Sequence, residues 1–190
     1  MRTTISVMMT IAMATAAMTG CTVNPPPLSQ AQLGTIDQPY VLDANDKLRI
    51  TVYNEPNLTG EYTVTGSGAI AFPLVGLIPV RNLTLEAASA ALQARLGRDL
   101  VNDPKVSIEV LNYRPYYILG EVVRPGQYPF MNGMTVQQAV ATAGGFTTRA
   151  NTTTLFIRRS RAAEEGSVNS RGSAVPVLPG DTIRVGERYF

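Results

Sequence analysis

A chain of 190 residues has room for one or two small domains, and a net charge of +2, from 16 Lys and Arg against 14 Asp and Glu, leaves no broad basic footprint for nucleic acid. The absence of His and Trp removes histidine-based triads, histidine metal sites and the commonest general base, so neither a metal nor another cofactor is expected. The one Cys excludes an intrachain disulfide and any Cys-x-x-Cys site.

Arg2 and the uncharged, Met- and Ala-rich run from Ile5 to Met18 read as a secretory leader over residues 1–20, since the run is shorter than the roughly 20 apolar residues of a spanning helix. Met18-Thr19-Gly20-Cys21 places small residues at the two positions before the cysteine and resembles the lipobox of bacterial lipoproteins, which makes Cys21 the expected lipidation site. A plain leader with a leftover thiol, or a cytosolic chain with one buried Cys, is the competing reading. Thr22, rather than Asp, resembles an outer-membrane address, so the expected location is the outer membrane, lipid-anchored and facing the periplasm. Residues 21–38 contain Pro25-Pro26-Pro27 and no charge before Asp37. They read as an extended spacer of about 3.1 Å per residue, or as a docking motif for a partner.

A first domain is expected over residues 39–112. A turn at Ala44-Asn45-Asp46 precedes a strand in which Leu48, Ile50 and Val52 alternate with Lys47, Arg49 and Thr51. Two short strands follow, at Glu61 to Thr65 and Ala69 to Phe72 around Gly66-Ser67-Gly68, and Leu77 to Val80 completes the sheet. Thr84 caps a helix with Glu86 in its first turn and Leu85, Ala88, Leu92 and Leu96 on its buried face. After Asn102-Asp103-Pro104, Val106, Ile108 and Val110 mark another alternating strand.

A second domain is expected over residues 113–190. Arg124-Pro125-Gly126 reads as a type II turn between paired strands, with Pro presetting φ and Gly supplying a positive φ. Thr135 and Gln138 are the two ends of a capping box for a short helix with Val136, Ala139, Val140 and Ala143 on one face, terminated by Gly144-Gly145. Thr153 to Arg159 predicts a strand running into Arg158, Arg159 and Arg161. These arginines either contact an acidic glycan or form a solvated edge that discourages pairing, the latter being favoured. Ala162 to Ala174 reads as a mobile polar loop. Pro179-Gly180-Asp181 and the alternation to Val185 then echo Asp46 to Val52. Three Asn-x-Thr triplets, at Asn57, Asn82 and Asn151, match the glycosylation pattern by chance in a bacterial lipoprotein.

"YVLDANDKLRITVYNEPNLTGEYTV", "GAIAFPLVGLIPVRNLTLEAASAALQARL" and "DPKVSIEV" resemble, in order and spacing, the polysaccharide biosynthesis/export domain. "LGEVVRPGQYPF" and "MTVQQAVATAGGFTTRAN" resemble the SLBB domain, a β-grasp-like module of the same export proteins. The resemblance implies an α+β fold: a small mixed β-sheet export domain with one helix, followed by a β-grasp-like SLBB domain with a C-terminal strand. It also implies a lipid-anchored, ring-shaped homo-oligomer, commonly of eight subunits, through which a capsular or extracellular polysaccharide leaves the cell. An inner-membrane polysaccharide co-polymerase is the expected partner. The sequence matches a short form without the family's C-terminal membrane helix, so a separate outer-membrane pore is expected and no conductance from this protein alone.

A non-channel lipoprotein that binds glycan or cell wall shares every local motif and is the alternative. An enzyme would need two carboxyl groups across a glycosidic bond, roughly 5 to 9.5 Å apart. Glu164-Glu165 are adjacent in the expected loop, while Glu109 and Glu121 fall on expected strands, so no catalytic residue is assigned and substrate-contacting residues stay unknown.

Overall fold

The computed structural model describes residues 25–98, 100–172 and 174–188. The leader and Cys21 lie outside the described residues. Two hydrophobic cores divide the chain, one to each side of Tyr113-Arg114-Pro115.

In the first, strand β1 (Lys47–Val52) lies between β2 (Gly60–Thr63) and β5 (Val106–Asn112), antiparallel to both. The alternation in β1 is realised: Leu48, Ile50 and Val52 are buried, while Lys47 and Arg49 reach Glu61 of β2 from the opposite face. Strands β3 (Ala69–Phe72) and β4 (Gly76–Pro79) form a hairpin that contributes Ile70, Phe72 and Ile78 to the core. Helix α2 (Leu85–Leu96) closes it. The Thr84 hydroxyl accepts the Ala87 N–H at 3.2 Å, and Ala88, Leu92 and Leu96, one turn apart, are buried while Leu85 is half-buried.

The second core is covered by a five-stranded sheet in the order β7 (Gly126–Tyr128), β6 (Tyr116–Gly120), β10 (Thr182–Glu187), β8 (Ala150–Arg158), β9 (Gly166–Asn169). Strand β10 runs parallel to β6 and antiparallel to β8. Helix α3 (Val136–Thr142) starts in the expected capping box, with the Thr135 N–H donating to Gln138 Oε1 at 2.9 Å, and buries Val136, Ala139 and Val140 with Ala143 behind them. Gly144 and Gly145, both at φ 87, end it, and the Gly145 N–H returns to the Val140 carbonyl.

Four expectations are corrected. The β6–β7 hairpin has no tight turn at Arg124-Pro125-Gly126: Ile118 pairs with Gly126, which is extended at φ 159, and residues 119–125 bulge between them. The left-handed φ expected of the turn glycine is found instead at Gly120, at 85, where a Cβ would stand 2.0 Å from the Val185 carbonyl oxygen. The bulge is diverted because the Val123 and Arg124 amides satisfy the carbonyls of Gly145 and Ala143 at the helix end.

Residues 162–174 are not a free loop, since β9 lies within them and pairs with β8. That pairing also removes the solvated edge expected at Arg158 to Arg161, because β8 has β10 on one side and β9 on the other. Finally, the Pro-rich segment is not a bare spacer. Pro27 bridges Ser167 in parallel, the Leu28 N–H and Ser167 N–H exchange hydrogen bonds with the Ser167 and Pro26 carbonyls, and the short helix α1 (Gln30–Leu33) follows. Leu28 and Leu33 pack on the second core, Leu28 against the Cα of Gly166.

Candidate functional site

The local echo between residues 46 and 181 is a repeated device. In each four-residue turn, Asp43 to Asp46 and Leu178 to Asp181, the third residue is left-handed: Asn45 at φ 71 and Gly180 at φ 83. Asn tolerates that conformation, so Asn at position 45 keeps the turn. In each, the fourth residue's carboxylate accepts the first residue's N–H, from Asp43 to Asp46 Oδ2 at 2.7 Å and from Leu178 to Asp181 Oδ2 at 2.8 Å. The reverse backbone bonds, Asp46 to Asp43 and Asp181 to Leu178, close both turns.

Both carboxylates are shut off from water, Asp46 at 0% and Asp181 at 1% exposure, and a buried charge is stable only when paired. Arg114 Nε stands 3.2 Å from Asp46 Oδ1, and Arg159 Nη1 donates to Asp181 Oδ2. Arg159 also clamps the N-terminal segment through the Gln32 and Leu33 carbonyls, at 2.9 and 2.6 Å.

Asp43 joins the two halves. Its carboxylate receives Arg81 of its own domain at 3.2 Å, Arg114 of the connector at 2.8 Å and Arg161 of the second domain at 2.5 Å. Arg161 Nη1 continues to Asn82 Oδ1 at 2.7 Å. Aromatic packing reinforces the link: Tyr113 meets Tyr40 edge-on at 4.8 Å and Phe130 at 5.7 Å.

The electrostatics follow from depth. Burial works to raise the Asp43 carboxyl, but Arg161, the Ala44 N–H and Arg114 outweigh it and hold the group below the ordinary aspartate range. For Asp46 burial wins: its carboxyl is pushed up in spite of the Tyr40 hydroxyl, the Asp43 N–H and Arg114. Asp181 is likewise pushed up by burial against Arg159 and the Leu178 N–H. Burial, and next to it the Asp46 carboxylate, drives the Tyr40 phenol well above its usual value.

Beside this cluster the domains leave a cleft of about 220 Å³. Ile36, Phe130 and Met134 give it apolar walls, and Asn82 and Arg161 give it polar groups.

The arginines singled out in the sequence therefore divide. Arg159 and Arg161 enter the junction, whereas Arg158 is exposed. The carboxylates weighed for catalysis do not converge. Glu165 is held by Arg184, Glu121 accepts the Thr147 hydroxyl, and Glu109 pairs across the sheet with Arg49. Among the described residues no three His, Cys, Asp or Glu side chains gather as a metal site, and no helix is long and apolar enough to cross a membrane. Asp46 and Asp181 are visible in the sequence only as turn residues, through the repeated Asp before an alternating strand, and no sequence signal singles out Asp43 or Arg114.

The model of the polysaccharide biosynthesis/export protein family matches residues 35–111, and that of the SLBB domain matches residues 115–170. The chain is also similar to the exopolysaccharide production protein ExoF of Rhizobium meliloti (strain 1021). The two are 33% identical over 129 residues, which take in 62% of this chain and 30% of the relative. The chain thus spans under a third of that relative's length.

Proposed function

Because the chain belongs to the polysaccharide biosynthesis/export family, with the export domain followed by an SLBB domain, we propose that it is a lipid-anchored part of a conduit by which a capsular or extracellular polysaccharide leaves the cell. The family is one of export proteins rather than enzymes, and the relative's name, an exopolysaccharide production protein, agrees with that reading. In this proposal Cys21 carries the lipid, and the protein faces the periplasm from the outer membrane. Copies associate side by side as a ring, with eight subunits as the expected number. An inner-membrane polysaccharide co-polymerase delivers the chain from below, and a separate protein supplies the outer-membrane pore.

The observation that carries the proposal is the joining of the two domains through Asp43. Each subunit of a ring must hold its two domains at one angle, or small errors accumulate and the ring fails to close. Arg161 and Arg114 on one carboxylate, with Tyr113 wedged between Tyr40 and Phe130, supply that fixed angle.

Deleting the chain from its host tests the export role: secreted polysaccharide should be lost, and unchanged secretion would sink the proposal. The ring is tested separately by native mass measurement on lipidated protein extracted gently from membranes, where monomers alone at high concentration would remove it. Cys21→Ser should release the protein from the outer-membrane fraction. Sustained reducing-end formation from polysaccharide would replace transport with hydrolysis.

A further inference from the structure

The charges at the domain junction are layered. Four guanidiniums, those of Arg81, Arg114, Arg159 and Arg161, face three carboxylates, those of Asp43, Asp46 and Asp181. The carboxylates lie underneath, with side-chain exposures of 13%, 0% and 1%, while Arg161 and Arg81 reach solvent at 48% and 40%. What this cluster presents outward is therefore guanidinium, with one positive charge in excess, at the side of a half-open cleft. Such a cleft favours an anion, and Arg161, which spends three of its five N–H donors on Asp43 and Asn82, keeps two on its Nη atoms for a ligand carboxylate.

The rest of the lining narrows the ligand further. Ile36, 41% exposed, offers an apolar wall with the buried Phe130 and Met134 behind it, while the Asn82 amide and the Tyr40 edge stand among them, a mixture that matches a pyranose with its apolar C–H face and rim of hydroxyls. A volume of about 220 Å³ takes one ring-sized unit rather than a length of chain.

We propose that the interdomain cleft is a binding site for a single carboxylate-bearing sugar unit of the glycan, with the two remaining Nη donors of Arg161 taking the carboxylate, the Asn82 Nδ2 a hydroxyl and Ile36 the apolar face. This rests on the export reading for its biological meaning, although the binding itself can be measured on the isolated protein. A glycan with acidic units would then touch each subunit at a defined point between the two domains.

The test is titration of the full chain with methyl glucuronide, methyl glucoside and acetate, followed by calorimetry or by NMR shifts of the Asn82 and Phe130 signals. The glucuronide should bind, the neutral glycoside and the bare carboxylate each about tenfold more weakly or less well, because each lacks half of the recognised chemistry. Arg161→Gln should lose about tenfold, and Arg158→Gln should bind as the parent does. Because Arg161 also joins the domains, Asn82→Gly is the second variant, since Gly keeps the left-handed backbone of that position at φ 63; it should weaken the glucuronide while the Arg161–Asp43 pair still holds the domains. Equal binding of glucoside or acetate, or full affinity in both Arg161→Gln and Asn82→Gly, would overturn the assignment. Secretion that continues in the deletion host, with glucuronide still bound in vitro, would remove the export role and leave the site standing.

Discussion

Asp43 and Asp46 are three residues apart and respond to acid in opposite directions. Asp43 is held below the ordinary aspartate value of about 4, so its contribution is present above that value and is lost as pH falls through the depressed one. Asp46 and Asp181 are raised, so theirs is full below about pH 4 and is lost as pH rises through the raised values. In a pH series of urea unfolding, Asp43→Asn should flatten the gain in stability on the acid side. Asp46→Asn or Asp181→Asn should instead flatten the loss that begins above about pH 4. Truncation is a different matter. Asp181→Ala strands the Arg159 guanidinium in a buried place and orphans the Leu178 N–H, and should cost about 3 to 5 kcal/mol. An unchanged midpoint would mean that water replaces the carboxylate there.

At the scale of elements, Gly166 sets the seat of the N-terminal segment. A Cβ there would stand 2.1 Å from Leu28 Cδ2, so Gly166→Val should eject Leu28 while leaving the β8–β9 register intact. Hydrogen exchange checks this: the Leu28 and Ser167 amides should lose protection and the β8 amides should keep it. Thr135→Ala should cost about 1 kcal/mol through the lost cap of α3.

The caps of α2 and α3, the alternation of β1 and the Gly144-Gly145 stop were all legible in the sequence, because each is decided by a few adjacent residues. What escaped depends on partners far along the chain. Gly166-Ser167-Val168-Asn169 is too polar to read as a strand, and it becomes one because β8 and Pro27 supply hydrogen bonds on its two sides. Arg124-Pro125-Gly126 has the composition of a tight turn, yet the end of α3 draws its amides away. The cleft was hidden for the same reason: Asp43, Arg114 and Arg161 are dispersed over the sequence, and only the turn that positions Asp43 is local.

For the molecule as a whole, the Asp43 junction should make two small cores unfold as one. Calorimetry of the parent protein should show a single transition with matching calorimetric and van't Hoff enthalpies. Arg161→Gln, which removes the second domain's hold on Asp43 and Asn82, should separate it into two. Two transitions in the parent would show that the domains are stable independently.

The strand order carries a kinetic consequence. Strand β10 occupies the middle of its sheet, between β6 and β8, although it follows both in the chain, and β6 lies some sixty residues earlier. The pairs β7–β6 and β8–β9 have no bond to each other until residues 182–187 arrive to join them. A partly synthesised chain therefore holds two separate ribbons and an N-terminal segment whose clamp, Arg159, is 127 residues beyond Gln32. Contacts this distant slow folding, since loop closure precedes any gain from pairing. The unfinished chain is thereby kept loose, and the second domain gains its cooperative sheet only when its middle strand is in place.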